Sequence, residues 1–156
     1  MHKYLELIAV VMVILAPRAP ALGQDRMVLE PRQFEHDTTG AGAVLCAWSI
    51  YVSVQAETAA CGFVRRPADD AIDQAIVAID EFILANSSLH PTRAMLEDFK
   101  RRAAESHLGS LRRQGLQKSC DARNVEYFRS LSPDQIQASI KALLALPREP
   151  VMNPCL

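Results

Sequence analysis

Residues 38–56 read TTGAGAVLCAWSIYVSVQA, a stretch with no charged side chain that holds the only tryptophan of the chain, Trp48. Its Val, Ile and Tyr content suits a strand locally. Its length and its alanine-rich continuation through Ala56, Ala59 and Ala60 favour a helix over about 42–61, stopped by Gly62. A helix that is apolar nearly all round is expected to be buried. The expected fold is therefore all-α: a small disulfide-tied bundle of four to five helices around this central one.

Outward from that stretch the chain is amphipathic and helical. Pro67 suits the first turn of a second helix, with Asp69, Asp70 and Asp73 near its positive end. Ile72, Ala75, Ile76, Ile79, Phe82 and Ile83 form its inner stripe, and Asp73, Asp80 and Glu81 are expected on the outer side. Val77 and Leu84 sit among the outer residues and form a candidate contact seam. A third helix is expected from Pro91 to Gln114, ended by Gly115, with Met95, Leu96, Phe99, Ala103 and Leu111 inward. Its outer face pairs Glu97 with Arg101, Asp98 with Arg102 and Arg101 with Glu105. A short segment near 121–130 buries Val125 and Phe128, and Tyr127 is a further candidate for that face. Ser132-Pro133-Asp134-Gln135 is a capping-box signature, and the helix it opens carries Ile136, Ile140, Leu143 and Leu144 inward.

The N-terminus has the form of an export signal over 1–23. The apolar run LIAVVMVILA at 7–16 is too short to span a bilayer, and small residues allow cleavage after Ala21 or Gly23. Residues 24–40 are expected as an extended arm and 41–156 as the helical domain with a proline-rich tail. Seventeen basic against eighteen acidic residues leave a net charge of −1. That balance supports neither nucleic-acid binding nor adhesion to an anionic membrane, and no stable membrane insertion is expected.

Four cysteines in an exported chain suggest two disulfides. On one straight helix Cys46 and Cys61 would lie about 22 Å apart, and a disulfide needs Cα atoms within about 7 Å. They cannot pair with each other. Antiparallel second and third helices return the chain to the Cys61 end at Cys120. The last helix then carries the tail towards Cys46. The expected bonds are Cys61–Cys120 and Cys46–Cys155.

The chemistry-bearing residues are sparse. His107 is placed on the inner face of the third helix beside Ala103 and Leu111, as a partly buried, satisfied side chain. His36 and His90 add no ligand spacing, so neither a metal site nor a cofactor is expected. No nucleophile motif or phosphate loop is present in the sequence. Asn86-Ser87-Ser88 is an N-glycosylation triplet. Thr39-Gly40 spaced from Cys46, Cys61-Gly62 and Pro154-Cys155 are similar to the pattern of bacterial periplasmic immunity proteins. The middle cysteine spacing departs from that pattern, so no membership is read from it.

The leading expectation is a non-enzymatic protein, periplasmic or extracellular, that binds another exported protein as an inhibitor, immunity factor or accessory subunit. Val77, Leu84, Arg112 and Arg113 are its candidate contacts, because Arg112, Arg113 and Lys118 lack acidic neighbours in the sequence. The second reading is a carrier of a small hydrophobic ligand in a cavity lined by Trp48, Tyr51 and Phe99. The third is an enzyme that uses His107. Sequence alone names neither the partner nor the oligomeric state.

Overall fold

The structure, a computed structural model, describes residues 34–155. The export signal and most of the arm lie outside the described residues. Six helical segments follow in order: α1 (Val44–Ala60), α2 (Pro67–Asn86), α3 (Arg93–Gln114), α4 (Leu116–Ala122), α5 (Glu126–Ser130) and α6 (Pro133–Leu143). α5 is little more than one turn. Among the described residues there is no strand, and no helix is long and apolar enough to cross a membrane.

α1 is the centre of the molecule. It packs on α2 and α3, and α2 in turn packs on α6 and α5. Val44, Leu45, Trp48, Val52 and Val54 are all buried, which is why this segment carries no charge until Glu57. Its first turn has no side-chain cap. One of its orphan N–H groups is met from the far end of the chain, where the Leu45 N–H donates to the Val151 carbonyl at 2.9 Å. Its last turn closes as a Schellman motif, with Phe63 N–H donating to Thr58 O and Gly62 N–H to Ala59 O. Gly62 takes φ +63°, the left-handed conformation that this motif requires. The helix therefore stops at the residue expected of it.

The two disulfides join Cys46 to Cys155 and Cys61 to Cys120, with Cα atoms 5.1 and 5.6 Å apart. They secure opposite ends of α1. At the Cys46 end the tail and the residues before α1 hold each other. Arg148 donates to Asp37 at 3.0 Å and to the Gly42 carbonyl at 2.6 Å, and Asp37 N–H donates to Asn153 O at 2.7 Å. Burial pushes the Asp37 carboxyl up, but the Thr39 hydroxyl, the Gly42 N–H and the Arg148 guanidinium together hold it below its ordinary value.

Several local expectations are corrected. α3 begins at Arg93 because Thr92, not the turn before Pro91, caps it: its hydroxyl accepts from Met95 N–H. Met95 is consequently 61 % exposed and belongs to the outer face. Gly115, at φ +97°, ends α3 and starts α4 at once, so the expected single segment near 121–130 is two short helices. Tyr127 points out to solvent while Phe128 packs on the core. α6 opens as its sequence signature requires, with Ser132 Oγ accepting from Gln135 N–H and the Gln135 side chain accepting from Ser132 N–H.

Candidate functional site

Three acidic residues are buried, among them Asp80, which was expected on the outer side of α2. Asp69 accepts two hydrogen bonds from Arg129, at 2.8 and 2.9 Å, and both side chains are almost fully enclosed. Arg129 also donates to Val64 O and lies 5.0 Å from the Phe63 ring. The Arg129 guanidinium holds the Asp69 carboxyl below its ordinary value despite the opposing effect of burial. Asp80 accepts from Trp48 Nε1 and from Lys100 Nζ, both at 2.7 Å, and thus faces inward rather than outward.

Glu57 is the third, and its partner is His107. Their side chains meet at 3.2 Å across the α1–α3 contact, with Glu57 buried and the imidazole partly open to solvent. His107 is thus a satisfied, half-buried histidine, as its helix position implies. Ser110, a hydroxyl one turn further along α3, is engaged by Gln114 at 3.1 Å. The pair fastens α1 to α3. Among the described residues no three His, Cys, Asp or Glu side chains gather to hold a metal ion.

The remaining surface is organised by charge pairing. On α3, Arg93 pairs with Glu81, Lys100 with Asp80 and Glu97, and Arg101 with Asp98 and Glu105. Arg102 also pairs with Asp98. Glu97 therefore meets Lys100, not Arg101. Elsewhere Arg65, Arg66, Arg129 and Arg148 are all in ion pairs. Among the described residues, Arg112, Arg113, Lys118 and Arg123 are exposed and make no ion pair within 4 Å, and only Arg123 acts on a nearby carboxylate, that of Glu126. All four lie between the last turn of α3 and the end of α4.

That cluster sits at one pole of the bundle, and the fold makes the pole rigid. The Cys61–Cys120 bond fixes α4 to the end of α1. The Arg129–Val64 and Arg66–Glu126 bonds fix the 62–66 turn to α5. Two large apolar side chains project from this frame, Val64 at 85 % and Tyr127 at 68 % exposure. Cations at the C-terminus of α3 also complement its dipole. Arg123, the C-cap of α4, stands likewise at a helix C-terminus, whereas Lys118 lies inside α4.

The other expected site residues are dispersed. Val77 is 56 % exposed on α2, whereas Leu84, expected to share its seam, leans on the core. Trp48, Tyr51 and Phe99 are packed core, with the Trp48 and Phe99 rings 5.5 Å apart, and do not wall an open cavity. Asn86 Nδ2 is held by the Phe82 carbonyl at 2.8 Å. Val64, Tyr127 and Arg123 were not expected in the site, since nothing in the sequence places the 62–66 turn beside 123–127. Compared with protein-family models, curated proteins and solved structures, the chain matches none.

Proposed function

We propose that this is an exported protein that binds the acidic surface of another exported protein through its basic pole, as an inhibitor, immunity factor or accessory subunit. The observation that carries the reading is selective pairing. The described arginines upstream on α3 and those around Asp69 and Asp37 are neutralised, while Arg112, Arg113, Lys118 and Arg123 make no ion pair within 4 Å at the end of the molecule where the Cys61–Cys120 bond ties α4 to α1 and where Val64 and Tyr127 are exposed. Arginine and tyrosine are the side chains most often found at energetic centres of interfaces. Uncompensated cations around them steer an oppositely charged partner and fix its orientation. A rigid frame reduces the ordering cost of association.

Two disulfides fit a periplasmic or extracellular protein. Export through a signal at 1–23, cleaved after Ala21 or Gly23, is part of the same proposal. The paired variant Val64→Ser/Tyr127→Ser tests the interface. Both positions are exposed, so thermal unfolding should stay within a few degrees of wild type. The affinity for the partner should fall at least about tenfold. An unchanged complex would refute the assignment of this pole.

A further inference from the structure

The stretch that carries the cations of the basic pole is anchored mainly by one covalent bond. Leu111 and Val125 are buried, and between them Ser119 and Cys120 are the only buried residues. Leu116 and Ala122 are not among the side chains packed on the core. The hydrogen bonds of α4 are local: Ser119 N–H donates to Gly115 O, Arg123 N–H to Cys120 O, and the Gln117 amide to Asp121. Its main packing contact is with α3, the helix it follows. Its tie to α1 is the Cys61–Cys120 bond. Both ends of α4 turn through positive φ, +97° at Gly115 and +52° at Arg123. The second is a conformation that a side chain disfavours, so release of the segment lets it relax.

The Cys46–Cys155 bond is set differently. Beside it Leu45 N–H donates to Val151 O, Asp37 N–H to Asn153 O, and Arg148 to Asp37 and the Gly42 carbonyl. Those bonds keep the two thiols at high effective concentration after reduction, so the bond closes again readily. No comparable set joins α4 to α1. Once Cys61 and Cys120 are thiols, α4 moves off and reclosure is disfavoured. Their bond is also open to attack, because Cys61, at the end of α1, is partly exposed. Cys120 would depart as a thiolate from the stretch that carries Arg112, Arg113, Lys118 and Arg123, and neighbouring cations favour that leaving group.

We propose that Cys61–Cys120 is a redox latch on the basic pole, opened by an exported dithiol protein. One thiolate of that protein attacks Cys61 Sγ and forms a mixed disulfide, while Cys120 leaves as a thiolate and takes up a proton. The second thiol of the reductant gives up its proton and attacks its own partner sulfur, displacing Cys61 as a thiolate that is protonated in turn. Two electrons pass to the chain, leaving two cysteine thiols here and one disulfide in the reductant. Opening frees residues 112–124 and all four cations with them, and the acidic partner is released. That release rests on the function proposed above; the opening itself does not.

The test is a titration of the wild-type protein against mixtures of reduced and oxidised dithiothreitol. Alkylation with peptide mapping reads each bond, and amide exchange reads each segment. Cys61–Cys120 should open at a reduced-to-oxidised ratio about tenfold lower than Cys46–Cys155. At that ratio fast exchange should be confined to residues 112–124, with α1, α2 and α6 still protected. Prior opening of Cys46–Cys155, or a segment 112–124 that stays protected once Cys61–Cys120 is reduced, would overturn the latch. The complex recovered from the native host, brought to the same ratio, should lose its partner in native mass spectrometry. A complex that survives the opening would overturn the release, and Arg112→Glu/Arg113→Glu then locates the fault. Should that variant also keep the partner, the basic-pole reading is wrong; should it lose the partner, the latch is.

Discussion

Arg129 and Asp69 form a bidentate ion pair with side chains 2 % and 6 % exposed, joining α5 to the first turn of α2 across sixty residues of sequence. Asp69 also accepts from the Arg66 N–H at 2.8 Å and so caps its own helix. One carboxylate therefore starts α2, holds α5 and, through Arg129 and the Val64 carbonyl, fixes the turn on which the basic pole stands.

Removing one member of this pair leaves a buried charge without compensation. Arg129→Met should destabilise the protein by about 3–5 kcal/mol. The double variant Arg129→Met/Asp69→Leu should recover part of that loss, because the desolvation penalty disappears along with the attraction. Urea unfolding of the two variants and the wild type checks this. A double variant no more stable than Arg129→Met alone would show that the pair is needed for packing rather than for charge balance.

The same pair sets an acid limit. The folded-state pKa of Asp69 lies below its unfolded value. Its contribution is therefore complete above about pH 4, the unfolded carboxylate range, and is lost as pH falls through the lower folded value. Asp37, held down by Thr39, Gly42 and Arg148 against the effect of burial, acts in the same direction at the other end of the molecule. Urea midpoints should change little from pH 6 to 5 and fall steeply below about pH 4. The fall should be shallower in Arg129→Met/Asp69→Leu. An identical acid limb in that variant would assign the effect elsewhere.

Trp48 reports on a second buried carboxylate. Asp80 is shared between Trp48 Nε1 and Lys100 Nζ. Lys100→Met should cost about 3 kcal/mol by leaving Asp80 short of a cation. Trp48→Phe should cost about 1–3 kcal/mol by removing one donor from a buried acceptor. Trp48 is the only tryptophan, so fluorescence in Lys100→Met reports directly on whether its hydrogen bond survives. A red-shifted emission in the folded variant would mean that Lys100 also keeps water from the ring.

The disulfides should differ in what they stabilise locally. Cys46–Cys155 spans 109 residues and Cys61–Cys120 spans 59, so loss of either should cost about 2–5 kcal/mol. Cys61→Ser/Cys120→Ser should raise amide exchange in α4 and leave the Asp37–Arg148 region protected. Cys46→Ser/Cys155→Ser should do the reverse. Uniform loss of protection in both variants would mean that the two ends of α1 do not open independently.

Much of the architecture was legible because it rests on local signals. The uncharged run through Trp48, the Gly62 stop and the Ser132–Gln135 box all act within a few residues. The cysteine pairing followed from the length of one straight helix, which bars Cys46 from Cys61, together with the antiparallel return of the next two helices. The buried charges were not legible. Asp80 reads locally as a solvent-facing acid and Asp69 only as a helix-start acid, nothing local marks Glu57, and their partners Trp48 with Lys100, Arg129 and His107 come from other helices. Arg112 and Arg113 stood out because their sequence neighbours lack acids. Val64, Tyr127 and Arg123 joined them only through the fold.

The most direct test of the basic pole is native mass spectrometry of the protein recovered from its own host, run beside Arg112→Glu/Arg113→Glu. The wild type should carry a stoichiometric protein partner with an acidic surface, lost on raising the salt, and the charge-reversed variant should emerge alone with both disulfides intact. A partner retained equally by both, or a wild type with no protein partner, would contradict the account.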